Sequence, residues 1–153
     1  MRIVVKGREA LKELASEQCQ VAIVSISDDP ADFPDIPSGC VCLAVLRQHF
    51  HDVEANFAAD MFEPHFAVNI EPKKAAIEAF TEAQATEVAK FVKALPAEVG
   101  TLVLQCEVGI SRSAGMAAAV ARHLGYDDMP FFRDHLPNRR VYRMTLEALR
   151  QCR

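Results

Sequence analysis

Hydrophobic and polar positions alternate along the chain in two rhythms. Arg2–Lys6, Val21–Ile26 and Thr101–Gln105 are short apolar runs rich in β-branched residues, and Cys40–Phe50 is apolar at first and then alternating. Runs of this length and composition predict strands, the unbroken ones buried on both faces of a parallel sheet. Between them, apolar residues recur at helical spacing. Ala10, Leu11, Leu14 and Ala15 predict a short amphipathic helix over Arg8–Gln18. Val88, Phe91, Val92 and Leu95 form the stripe of a second helix. Its start reads as a capping box, with Thr81 as N-cap and Gln84 reaching back, and Pro96 stops it near Leu95. Arg112–Leu124 is alanine-rich, small or apolar on most sides, and followed by Gly125 as a C′ residue, so it predicts a buried helix. A last helix is predicted over Arg140–Arg150.

Two stretches resist this reading. Residues 27–39 hold four aspartates, three prolines and a glycine and predict a loop. Residues 51–79 mix aromatics, acids and two prolines, with room for one short helix. Strands alternating with helices predict an α/β fold: one three-layer domain over residues 1–153, with a largely parallel central sheet of four to five strands flanked by helices.

Composition narrows the partners. At 153 residues the chain matches one ordinary domain. A net charge of −4 argues against a general nucleic-acid binder. No apolar run is long enough to span a membrane. Met1–Lys6 is too short for an apolar secretory stretch, and five scattered cysteines do not suggest a disulfide or zinc scaffold, so a cytoplasmic setting with free thiols is expected. His49 and His51 lack a third ligand at metal spacing, and no metal or cofactor is expected. Arg133, Arg139, Arg140 and Arg143 read either as a basic rim meeting a phosphoprotein or as a solvated helix face.

The chemistry concentrates at residues 102–115. Cys106 follows a buried strand, and Arg112 and Ser113 open the next helix. Strand ends of open α/β sheets are where ligands bind. Backbone N–H groups from Glu107, Val108, Gly109, Ile110, Ser111 and Arg112 can form an anion nest beside the positive end of the helix dipole. Such a field favours a thiolate over a thiol. Arg112 offers a planar fork for phosphate oxygens, Gly109 admits a tight turn, and Ser113 can donate a hydrogen bond to the sulfur.

The pattern Cys106-x-x-Gly109-x-Ser111-Arg112-Ser113 resembles the signature loop of the cysteine-dependent protein tyrosine and dual-specificity phosphatases. The segment Pro137–Arg143 looks like the closing segment of small bacterial members. The resemblance implies a dual-specificity-phosphatase-like fold and a phosphocysteine intermediate. It implies catalytic roles for Cys106, Arg112 and Ser113. It also implies a general acid upstream, for which Asp52 is the first choice and Asp60 the second. Its substrates would be phosphorylated proteins or small phosphomonoesters, with inorganic phosphate or sulfate fitting the loop. The chain departs from the family in carrying Gln105 where His is usual. That leaves a phosphate-binding pseudophosphatase as the alternative. Cys40 or Cys42 would reach Cys106 for a protective disulfide only if their strand neighbours the Cys106 strand.

Overall fold

The computed structural model describes residues 1–16, 19–54 and 77–153. Four strands are present among them: β1 (Arg2–Lys6), β2 (Val21–Ser27), β3 (Cys42–His49) and β4 (Thr101–Gln105). They form one sheet in the order β1-β4-β2-β3, and all three pairings are parallel. Every residue of β2 and β4 is buried, as their unbroken apolar runs require.

Side chains alternate across this sheet and divide the core in two. Ala22, Val24, Ile26, Leu102 and Leu104 point to one face. There they meet α1 (Glu82–Lys93) through Ala85, Val88 and Val92, α2 (Arg112–His123) through Met116, Ala117 and Val120, and α4 (Arg139–Gln151) through Val141 and Leu149. Val21, Ile23 and Val103 point the other way, onto Leu11 and Leu14. The expected helix at 8–18 is instead a 3-10 helix over Glu9–Ser16. Only Leu11 and Leu14 are buried in it, and a spacing of three is the repeat that a 3-10 helix aligns on one side.

The helix ends carry the chemistry read from the sequence. Thr81 caps α1, with Gln84 N–H donating to the Thr81 hydroxyl at 3.2 Å and Thr81 N–H donating back to Gln84 Oε1 at 3.0 Å. Helix α2 closes on Gly125 at φ +79°, with Tyr126 N–H bonded to Ala121 C=O at 2.8 Å and Gly125 N–H to Arg122 C=O at 3.2 Å. That is a Schellman stop. The short helix α3 (Met129–Asp134), which opens on Pro130, has no counterpart in the sequence reading. No described helix is long and apolar enough to cross a membrane.

The register places Cys42 and Cys106 at opposite ends of the sheet. Cys42 is level with Val21, and Val21 with Thr101, so Cys42 lies at the amino end of the sheet. Cys106 follows the carboxyl end of β4, and β2 stands between the two strands. Five residues of strand are about 16 Å, well beyond disulfide reach. The condition for a Cys42–Cys106 or Cys40–Cys106 bridge is not met. Burial also pushes the Cys42 thiol up.

Candidate active site

Strand β4 delivers Cys106 to the carboxyl edge of the sheet, where it is 2 % exposed. Its backbone is held on both sides. Cys106 N–H donates to Lys6 C=O at 3.3 Å, and Cys106 C=O accepts from Gln105 Nε2 at 2.8 Å. The following carbonyls are also taken up by surrounding chain. Glu107 C=O accepts from Arg8 N–H at 3.0 Å, Ile110 C=O from Leu136 N–H at 3.1 Å, and Ser111 C=O from Asn138 N–H at 3.0 Å. In a trans peptide the next N–H points opposite to the carbonyl, so these bonds turn the amides of Glu107, Val108, Ser111 and Arg112 into the loop. Gly109 makes the turn at φ +76°, where a Cβ would stand 2.4 Å from Gly7 N. The Arg8 guanidinium, which braces the loop from outside by pairing with Glu107 at 3.0 Å and Asp32 at 3.1 Å, is pushed up first by its hydrogen bond to Glu107.

Two groups converge on the sulfur. Gly109 N–H donates to Cys106 Sγ at 3.3 Å, and Ser113 Oγ lies 3.0 Å from it. Ser111 stands at the N-cap of α2 yet makes no cap hydrogen bond. Its hydroxyl donates to Asp52 Oδ1 at 2.8 Å instead. The first-turn amides of α2 therefore stay free of the side-chain acceptor that usually occupies them.

Arg112 is 5 % exposed and lines the same pocket as Cys106. Its Nη1 donates to Asp28 and to Phe50 C=O, the latter at 2.8 Å. Its Nε is buried and makes no hydrogen bond among the described residues. One end of the guanidinium is thus fixed by protein, which leaves the Nε side as the edge able to take an anion. Asp28 follows directly on β2. Its loop is shaped by Ser27, whose hydroxyl donates to Asp32 C=O at 2.6 Å and accepts from Asp29 N–H at 3.1 Å.

Asp52 sits in the pocket with Cys106, Glu54, Ser111, Arg112 and three aliphatic side chains, Val108, Ile110 and Leu136. Asn138 donates to Asp52 Oδ1 at 2.7 Å and to Val53 C=O at 3.1 Å, while its own Oδ1 caps α4 by accepting from Val141 N–H at 2.9 Å. Two donors, the Ser111 hydroxyl and the Asn138 amide, thus converge on Asp52 Oδ1. The close approach of the two helices depends on Gly115, where a Cβ would stand 2.5 Å from Asn138 C=O.

Of the residues expected from the sequence, Cys106, Arg112, Ser113, Asp52 and the 107–111 loop come together. Asp60 lies outside the described residues. Of the arginines at 133–143, Arg133 pairs with Asp134 at 2.9 Å and Arg140 donates to Phe80 C=O at 3.1 Å. His49 pairs with Glu78 at 3.2 Å, and His51 Nδ1 accepts from Glu78 N–H at 2.9 Å, so both tie the end of β3 to residues 77–80. The sequence reading assigned no role to Asp28, to Asn138, or to Ser25, whose hydroxyl donates to Gln105 Oε1 at 2.5 Å. Asn138 after Pro137 had the form of an N-cap, and Asp28 stood at a strand's carboxyl end, but neither signal named its partner.

No family model matches the chain, and no curated protein matches it. Solved structures do. Over 98 % of this chain and 91 % of the other, it superposes on PTPMT1, solved in complex with PI(5)P, at 12 % identity and a TM-score of 0.50. Human DUSP28 aligns over 97 % of this chain and 92 % of its own, at 17 % identity and a TM-score of 0.48. The chain shares the overall α/β fold of PTPMT1.

Proposed function

We propose that this chain hydrolyses phosphate monoesters through a phosphocysteine intermediate, acting on phosphorylated tyrosine, serine or threonine in proteins. The observation that carries the reading is the convergence of Gly109 N–H and Ser113 Oγ on Cys106 Sγ, in one pocket with buried Arg112 and Asp52. The Cys106 thiolate attacks phosphorus, so that an S–P bond forms as the P–O bond of the ester breaks. Asp52 gives its proton to the departing oxygen. Arg112 and the loop amides hold the equatorial oxygens, where charge develops. Water then attacks phosphorus and gives its proton to Asp52. The S–P bond breaks, inorganic phosphate leaves, and the Ser113 hydroxyl steadies the returning thiolate. The phosphoinositide in PTPMT1 supports a phosphate ester as the class of ligand for this fold.

The test is steady-state turnover of p-nitrophenyl phosphate by wild type, Cys106→Ser and Cys106→Ala. The reading expects turnover by wild type and none above background in either variant. Phosphate binding without turnover by wild type supports the pseudophosphatase alternative instead.

A further inference from the structure

Beyond the phosphate itself, the pocket has a mouth of defined chemistry. Three aliphatic side chains face solvent around it: Leu136 at 77 %, Val108 at 69 % and Ile110 at 41 % exposure. Large apolar groups gathered at the entrance of a polar pocket are contact surface for an apolar partner. Among the described lining residues the only cation is Arg112, and it is buried and already shared with Asp28. Arg8, which braces the loop from outside, is held by Glu107 and Asp32. Among the described lining residues, the charge exposed at the rim is a carboxylate. Glu54 is exposed, and its Oε1 accepts from the Arg139 N–H at the first position of α4, 3.3 Å away. That amide fixes where the charge stands.

Resting on the phosphatase reading, we propose that this mouth selects phosphopeptides with an aliphatic residue and a lysine or arginine flanking the phosphorylated residue, and that Glu54 selects the cation. The loop amides and Arg112 neutralise one phosphate. A second anionic group on the carrier would then face Glu54 with no cation among the described lining residues to meet it. A cationic neighbour pairs with Glu54, and an aliphatic one covers Leu136 and Val108. Opposed charges at a partly exposed rim change rates by about tenfold and weaken with salt.

The experiment compares kcat/KM for p-nitrophenyl phosphate, for two phosphotyrosine peptides alike except for flanking Leu-Arg or Leu-Glu, and for a short-chain phosphoinositide. Wild type is expected to favour the Leu-Arg peptide by about fivefold or more, less so at high salt, and to turn over the phosphoinositide most slowly. Glu54→Lys should invert the order of the two peptides, and Leu136→Ala should cut turnover of both peptides relative to p-nitrophenyl phosphate. Equal use of the two peptides, preference for Leu-Glu, an order unmoved by Glu54→Lys, or faster turnover of the phosphoinositide overturns the proposal while p-nitrophenyl phosphate turnover leaves the phosphatase reading standing. Failure of wild type on p-nitrophenyl phosphate overturns both.

Discussion

Ser25 and Gln105 face each other across the β2–β4 pairing, and the Ser25 hydroxyl donates to Gln105 Oε1 at 2.5 Å directly beneath Cys106. Gln105 passes the constraint on through Nε2 to the Cys106 carbonyl. Both residues are buried, so the relay is dry and neutral. Where the resembling family has a histidine, this chain orients the Cys106 peptide without a charge.

Gln105→Leu leaves the Cys106 carbonyl without its donor and the Ser25 hydroxyl without its acceptor. It should cost about 1–3 kcal/mol of stability and lower kcat by an order of magnitude or more, because Cys106 C=O loses its anchor. Ser25→Ala should cost less and affect kcat less, since Gln105 Nε2 keeps its bond to Cys106. Urea denaturation and single-turnover rates on the same samples check both. A Gln105→Leu enzyme as fast as wild type contradicts a positioning role.

Asp28 and Arg112 separate charge from geometry. Asp28→Asn keeps an acceptor for Arg112 Nη1 but removes a negative charge beside the anion pocket, so inorganic phosphate or vanadate should inhibit several-fold more tightly. Asp28→Ala removes that acceptor and leaves Phe50 C=O alone on Nη1, so kcat/KM should fall as the guanidinium is held less firmly. Inhibition constants for the two variants are expected to move in opposite directions from wild type. Parallel shifts would show that Asp28 does not set the position of Arg112.

Asp52→Asn should reduce kcat about 100-fold or more for phenyl phosphate, whose leaving group needs a proton, and much less for an activated aryl phosphate. Asn138→Ala should copy part of that dependence on the leaving group, because it leaves Asp52 held by the Ser111 hydroxyl alone. It should also cost about 1 kcal/mol through the lost cap of α4. If the dependence on the leaving group is absent in Asp52→Asn, another residue is the acid.

Tyr142 offers a stability test away from the site. Burial first, and then its hydrogen bond to Asp128 at 2.9 Å, push the Tyr142 phenol up. A group raised in the folded state contributes stability that is complete below its unfolded value and is lost as pH rises through the folded one. Stability should therefore fall with pH above about 10. Tyr142→Phe should be about 1 kcal/mol less stable near neutrality and lose less on going alkaline. Urea midpoints for both proteins between neutral and strongly alkaline pH check the sign.

The sequence carried the sheet and most helices because their signals are local. The buried runs of β2 and β4, the Thr81–Gln84 box and Gly125 each act within a few residues. The Cys106–Ser113 loop was legible for the same reason. Asp28 and Asn138 were not, because they act on partners 84 and 86 positions away, and no local pattern encodes such a meeting. Leu11 and Leu14 gave a correct buried face and the wrong helix type, since a spacing of three suits both. Asp52 was singled out as a candidate acid, ahead of Asp60, only through resemblance. The structure adds what surrounds it: the Ser111 hydroxyl, diverted from capping α2, and the Asn138 amide.

The most direct measurement is acid-quench mass spectrometry of the peptide containing Cys106 after brief mixing with an aryl phosphate. A phosphoryl group on Cys106 that appears within the first turnover and decays as phosphate is released is the predicted result. Steady release of phosphate with no phosphoryl group on Cys106 at any time would contradict the account.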